Sequence, residues 1–353
     1  MRRYGPRIVG YGVLVAAIVL LPHLAGEFRV TQFSYVAVFA IALWGLSILT
    51  GITGQISLGH GGFMAIGAYV TGILAMNHGV PELLTIPLGG LAAGIVGFLF
   101  GFPALRLAGV YLALATFALA VIVPSVAIAL GEFTGGTAGI LLDLPTSPVG
   151  ALTPSEWLYY VTWAFAGALF VLATWFVGGK RGRALRAVRD NELAAVSSGI
   201  SLSRYKTLAF GVSAFYAGVA GSLYAVLNFI VTPGTFPVTL SILLLAGLVI
   251  GGASSFLGVL AGAVFVEFIP LYAGDVLRPL IDVGQTLQLP VGDVDPTTPG
   301  VPSVVYGGIL LLALLLMPNG AAGLGHRFRA LTKRTYSRLV DSNVGSPPKE
   351  RGV

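Results

Sequence analysis

The sequence predicts an all-α polytopic membrane protein with about ten transmembrane helices and both termini on the cytoplasmic side. Three observations predict it. Of 353 residues, 56% are hydrophobic and 10% are charged, against roughly 25% charged in average soluble proteins. The apolar residues fall in long runs, several near the ~20 residues that cross a hydrocarbon layer about 30 Å thick. The basic residues gather on alternate loops, which orients the runs consistently. In lipid the backbone must satisfy its own hydrogen bonds, so the runs are expected to be helices. They lack the strict alternation of a membrane β-barrel.

The apolar segments lie at about 8–25, 33–53, 60–77, 84–104, 108–130, 157–177, 207–230, 237–250, 254–272 and 301–317. Arg2, Arg3 and Arg7 precede the first, as in a signal peptide. No clear small-x-small cleavage site follows it, so an uncleaved first span is expected. The segment 178–206 carries Lys180, Arg181, Arg183, Arg186, Arg189, Arg204 and Lys206. The tail carries Arg327, Arg329, Lys333, Arg334, Arg338, Lys349 and Arg351. With the N-terminus inside, six spans place 178–206 inside and ten place the tail inside. Only Arg29 and Arg278 then face out, and the loops 131–156 and 273–300 are acidic. The segment 237–272 is the hardest to count. As one helix its 36 residues would run ~54 Å, too long for one ordinary crossing. Gly251, Gly252, Ser254 and Ser255 interrupt it, so it is divided in two; 237–250 is short enough to be a re-entrant half-helix. The organisation read from this is a transmembrane domain over 1–324 and a basic cytoplasmic tail over 325–353, disordered from Ser342 on.

Glycine is abundant, at 49 residues. Small residues let membrane helices approach closely. Gly90/Gly94, Gly97/Gly101, Gly247/Gly251 and Gly258/Gly262 have G-x-x-x-G spacing, which suits helix packing within the chain or a subunit-contact face. The absence of cysteine excludes disulfides and thiol chemistry.

Two stretches stand out. Residues 51–62 read G-I-T-G-Q-I-S-L-G-H-G-G, with glycines and polar side chains where one span ends and the next begins. Broken helix ends expose free backbone groups, and transporters place such ends near substrate routes. Gln55, Ser57 and His60 are its polar candidates. Two readings stay open: a tight cytoplasmic turn whose side chains cap helix ends, or a stretch lining the pathway or a gate. The second stretch is basic. Residues 183–197 are expected to form one short amphipathic helix, with Leu185, Val188, Ala195 and Val196 on an apolar side. Arg183, Arg186, Arg189, Asp190 and Glu192 form the charged side, and Gly199 ends the helix as a left-handed cap. Such a helix suits docking of a soluble partner or an interface with anionic lipid.

This second stretch resembles the cytoplasmic coupling region of ABC-importer permeases, whose general pattern is E-A-A-x-x-x-G. Ala194, Ala195 and Gly199 match it, while Glu192 sits one residue early. The fuller string from Arg183, R-A-L-R-A-V-R-D-N-E-L-A-A, followed by G-I and R-Y-K, resembles the LivM-type permease of branched-chain (hydrophobic) amino-acid ABC importers. So do G-Q-I-S-L-G-H-G-G-F from Gly54, L-R-L-A-G-V-Y-L-A-L-A-T-F-A from Leu105 and T-G-G-T-A-G-I from Thr134. S-I-L-L-L-A-G-L-V-I-G-G-A-S-S-F-L-G from Ser241, and Y-G-G-I-L-L-L and P-N-G from Tyr306, follow in order. The similarity covers roughly residues 33–324. It implies a multi-pass permease subunit in the cytoplasmic (inner) membrane of a prokaryote. Its implied partners are a second homologous permease, two cytoplasmic ATPase subunits and an extracytoplasmic substrate-binding protein, with membrane lipid around it. Nothing implies nucleic acid.

The resemblance makes the chain a transport subunit rather than an enzyme, and the sequence agrees. It has no G-x-x-x-x-G-K-[ST] phosphate loop. Around Gly179-Lys180, the nearest candidate, the position five before is Thr174 and Arg181 follows. No cofactor is expected on this chain; ATP and Mg would be used by the partner ATPases. His23, His60, His78 and His326 lack metal-ligand spacing. Glu267 is the one clear acid within a span, and buried charges cost about 2.5–3.5 kcal/mol on insertion scales. It either reaches the interface or meets a substrate ammonium in an outer vestibule. Thr116, Asn228, Ser241 and Gln55 are polar span residues suited to the zwitterionic end of a substrate or to bonds between helices. A permease for urea or short amides shares most of the signatures. An ion-coupled secondary carrier is the alternative of a different class, thinly supported by one intramembrane acid. A membrane-embedded enzyme would need convergent catalytic groups, and the spans show none.

Overall fold

The structure, a computed structural model, describes residues 5–107, 109–143, 147, 150, 152–286 and 307–308. The elements run α1 (Gly5–Leu24), α2 (Glu27–Leu46) with a π-helical turn at Ser47–Ile52, α3 (His60–His78), α4 (Glu82–Ala104) and α5 (Val110–Ala129). A short α6 (Gly131–Thr134) and strand β1 (Ile140–Leu141) precede α7 (Pro154–Val177). Then come α8 (Gly179–Asp190), α9 (Glu192–Ser197), α10 (Leu202–Asn228), strand β2 (Ile230–Val231) and a 3₁₀ turn at Pro233–Thr235. The hairpin of α11 (Val238–Gly251) and α12 (Phe256–Thr286) follows.

Among the described residues, six helices are long and apolar enough to cross a membrane: Glu27–Ile52, Glu82–Ala104, Val110–Ala129, Pro154–Val177, Leu202–Asn228 and Pro233–Gly251. Val15–Leu24 and Phe256–Tyr272 are shorter apolar helices. The expected span at 301–317 and the basic tail lie outside the described residues. The chain is therefore mainly helical and multi-pass. One departure from an all-helical fold is small: β1 and β2 pair antiparallel through Ile140 and Val231.

Two helices form the core. In α2, residues 36–49 are all buried, and an all-round apolar helix belongs inside. In α10, residues 216–223 are buried as well. The outer helices keep apolar faces exposed: Leu91, Ile95 and Leu99 on α4, Val121 and Ile122 on α5, Val171 and Trp175 on α7. In a membrane that surface meets acyl chains, so it needs no protein cover. A capping box starts α7. The Thr153 hydroxyl accepts from the Glu156 N–H at 3.3 Å, and the Glu156 carboxylate accepts from the Thr153 N–H at 2.8 Å. Pro154 takes the first helical position, where its missing N–H costs nothing.

Glycine lets the inner helices touch. Gly67 of α3 lies against the Gly218 backbone of α10. Gly90, Gly94, Gly97 and Gly101 turn one face of α4 onto Val219, Phe215, Ala214 and Thr207 of α10. The pairs Gly247 with Gly262 and Gly251 with Gly258 zip α11 antiparallel to α12. At the four G-x-x-x-G pairs the spacing serves packing within the chain. The interruption expected in 237–272 is present: α11 stops at Gly251, Gly252 takes φ 96°, and α12 starts at Phe256.

Candidate functional site

The basic stretch forms two helices where one was expected. Asn191 adopts extended φ −161° and ψ 109°, and its Oδ1 accepts from the Ala194 N–H at 3.0 Å. Asparagine is a strong N-cap, so it ends α8 and starts α9. Glu192 then stands in the first turn of α9, where the helix dipole favours an acid. Gly182, Ala184, Leu185 and Val188 of α8 and Ala195 of α9 are buried. Val196 does not join them; it is 52% exposed, with Leu193 at 82%, because the break at Asn191 rotates α9 relative to α8. Arg183, Arg186, Asp190, Glu192 and Ala194 are also exposed. Gly199, at φ 79°, closes α9, and the Ile200 N–H reaches back to the Ala195 carbonyl at 3.0 Å. The result is an exposed, mixed apolar and charged surface between two membrane helices.

Two ties fasten this surface to the bundle. Lys206 of α10, 8% exposed, pairs with Glu192 at 2.6 Å. The Arg189 Nη1 donates to the Gly51 carbonyl at 2.6 Å. Gly54, at φ 76°, lies so close that an added Cβ would come within 2.9 Å of the Arg189 Cγ. Arg189 thus joins the two stretches that the sequence analysis singled out separately.

Residues 51–62 are not a tight turn. After the π-helical turn, 53–59 hold no regular helix and run back along α2 before α3 begins. Three contacts fix that course. The Leu58 N–H donates to Thr116 Oγ1 of α5 at 2.9 Å, and Thr116 donates to the Ala113 carbonyl. The Gly61 N–H donates to Ser241 Oγ of α11 at 2.9 Å. Ser57 Oγ accepts from the Gly59 N–H at 3.3 Å. Ser241 sits ten residues before the end of α11, about 15 Å along a helix. Two residues past that end, Ala253 meets Ser47 and Gly51: Ser47 Oγ donates to the Ala253 carbonyl at 2.6 Å. The start of α3 therefore lies well above the end of α2. Irregular backbone at such depth is tolerated only inside protein or along a water-filled path. Here neighbouring helices supply the missing partners, and Ser241 caps α3 from another helix.

Of the expected pathway residues, Gln55, Ser57, His60 and Thr116 come together at this junction and are buried. Among the described residues the Gln55 Nε2 is buried with no hydrogen-bond partner, and the His60 ring is fully buried against the Ala42–Gly45 turn of α2. Asn228 instead bonds within its own helix, to the Tyr224 carbonyl at 2.9 Å. Glu267 is separate. It lies on α12 toward the opposite end of α2, half-buried beside Tyr35 and Tyr224. Sequence reasoning missed the Lys206–Glu192 pair, since the partners lie on different helices and no periodicity links them. The Asn191 break carried a readable signal, an N-cap followed by an acid.

With this arrangement in view, comparison with known proteins becomes decisive. Residues 29–315 match the family described as "Branched-chain amino acid transport system / permease component". The chain belongs to that family. It is 32% identical over 280 residues to the "High-affinity branched-chain amino acid transport system permease protein LivM" of Salmonella typhimurium. It is 32% identical over 283 residues to the protein of the same description from Escherichia coli. Each alignment takes in 72% of this chain, and it spans 65% and 66% of the two relatives' lengths. No solved structure matches. The family match includes every site residue named above, from Gln55 to Glu267, and leaves out all of α1 and the tail. Membership makes the chain a membrane permease component.

Proposed function

We propose that this chain is a transmembrane permease subunit of an ABC importer that moves branched-chain amino acids across the cytoplasmic membrane of a prokaryote. One observation carries the reading: the exposed helix pair α8–α9 stands between membrane helices and is bonded through Arg189 to the π-helical end of the buried helix α2. A surface so placed can convert the motion of a docked partner into motion of the bundle. Arg183, Arg186, Asp190, Glu192, Ala194, Ala195 and Gly199 build the docking surface, and Arg189 transmits from it. Gln55, Ser57, His60, Thr116 and Glu267 line or gate the route. In this reading the chain has about ten spans with both termini cytoplasmic. It pairs with a second homologous permease, docks two cytoplasmic ATPases that use ATP and Mg, and receives substrate from an extracytoplasmic binding protein. The names carried by its relatives and the apolar bundle support the choice of substrate.

Reconstitution of the permease pair, both ATPases and the binding protein in proteoliposomes tests this. Labelled leucine is expected to accumulate only with ATP, to ignore a protonophore, and to resist competition by urea. Uptake by this chain alone, abolished by the protonophore, would establish a secondary carrier instead. A tag within 183–199 that reacts from outside intact cells would also overturn the reading.

A further inference from the structure

About 33 Å along α2 from Gly51, at 1.5 Å per residue, lies a second chemically distinctive place. Arg29 meets Tyr272 of α12 there, and about 9 Å nearer Gly51 Tyr35 meets Tyr224 of α10, which in turn meets Phe236 from the turn before α11. The rings form a wall: Tyr35 and Tyr224 have centroids 5.4 Å apart, and Tyr224 and Phe236 are 5.6 Å apart. Glu267 adjoins Phe268, whose ring meets the Phe33 ring of α2 at 5.6 Å, so its turn of α12 packs on the stretch of α2 that carries Tyr35. Its carboxylate forms no ion pair among the described residues, where the salt bridge found is Lys206–Glu192. The cation at this end looks elsewhere. Arg29 lies over the Tyr272 ring at 5.8 Å and donates to Gln32 Oε1 at 3.4 Å.

A half-buried carboxylate without a counter-ion is an unfavourable resident of a membrane helix. Beside aromatic faces, it suits an ammonium ion, which gains from both charge and ring quadrupole. Arg29 lies five residues, about 7.5 Å, further along toward the end of α12 if Tyr272 marks its level. A cation at the rim and an acid further in match the two ends of a zwitterion, with the rings left for an aliphatic side chain. We infer that this cluster is a binding subsite for the free amino acid, taking its ammonium group at Glu267 and its aliphatic side chain against the half-buried rings of Tyr35 and Tyr224, which Phe236 backs from inside. Arg29 draws the trailing carboxylate at the rim. The inference rests on the importer reading and identifies where, within such an importer, released substrate is first held.

The test uses the complete importer in proteoliposomes and measures leucine uptake and binding-protein-stimulated ATP hydrolysis in the same vesicles. Glu267→Gln is expected to lower leucine moved per ATP by about ten-fold, in keeping with loss of one charged contact. Stimulated ATP hydrolysis should persist, and Glu267→Asp should retain leucine moved per ATP. If the amide variant does not assemble, Tyr35→Leu carries the same test from the ring wall. Unchanged leucine per ATP, or equal loss of uptake and hydrolysis, overturns the subsite. A wild-type complex that moves no leucine overturns the importer reading itself, and the subsite with it.

Discussion

The Arg189 guanidinium donates a 2.6 Å hydrogen bond to the Gly51 carbonyl, joining a surface helix to the end of the most buried of the described membrane-length helices. On its other side, Gly51 has no room for a side chain, because an added Cβ would overlap the Ala253 carbonyl. The Trp44 Nε1 meanwhile donates to the Phe256 carbonyl at 2.9 Å. One residue therefore connects α8, the π-helical end of α2 and the corner of the α11–α12 hairpin.

Charge reversal at Arg186 and charge removal at Arg189 are expected to fail differently. Arg186 is exposed and makes no bond among the described residues, so Arg186→Glu should weaken ATPase docking and leave the subunit's stability unchanged. Arg189→Gln loses a charge-assisted bond of about 1.5–3 kcal/mol within the subunit. It should still dock the ATPase but uncouple hydrolysis from uptake. Co-purification of the ATPase, together with uptake per ATP, separates the two. Equal loss of docking in both variants would contradict the division of roles.

Thr116 tests the course of 53–59. Thr116→Val keeps shape and removes the acceptor for the Leu58 N–H, leaving a part-buried donor unsatisfied at about 1–3 kcal/mol. Thr116→Ser keeps the hydroxyl and should behave as wild type. Thermal unfolding in detergent is expected to show a lower midpoint for valine than for serine. Equal midpoints would mean that Leu58 finds another partner.

The Lys206–Glu192 pair should show coupling. Glu192→Gln leaves a buried ammonium without its counter-ion, and the expected loss is about 1–3 kcal/mol, below the fully buried case because Glu192 is half exposed. Lys206→Met removes the buried charge altogether, and the double variant should be more stable than Glu192→Gln alone. A double-mutant cycle on unfolding free energies measures this. Additive effects would show that the pair contributes no interaction.

How far the fold and site were legible follows from the same residues. Long apolar runs announce α2, α4, α5, α7 and α10, because lipid leaves the backbone no alternative to helix. Gly251 and Gly252 announce the hairpin between α11 and α12, since the length of the run requires a break. The π-helical turn was not legible, as S-I-L-T-G-I would continue an ordinary helix equally well. Nor was the course of 53–59. Its glycines fit a turn as readily as a returning segment, and the deciding partners, Thr116 and Ser241, sit far away in sequence. Glu267 was conspicuous as a lone acid, yet its ring neighbours come from α2 and α10 and share no local pattern with it. Arg189 looked like one of several basic residues until its partner was seen.

The glycine seams give the sharpest contrast between positions that look alike in sequence. An added Cβ at Gly67 would lie 2.6 Å from the Gly218 Cα, a contact between two helix backbones that no side-chain rotation relieves. Gly67→Val is expected to cost more than the ~1–3 kcal/mol of ordinary overpacking, because α3 and α10 must separate along their length. Gly167 lies on the exposed face of α7 with nothing within 4 Å of its Cβ position. Gly167→Ala should be neutral or stabilising by up to about 1 kcal/mol through helix propensity. Heating detergent-purified variants and following the monodisperse fraction by size exclusion compares them directly. Survival of Gly67→Val at the wild-type temperature would show that α3 and α10 are not in backbone contact.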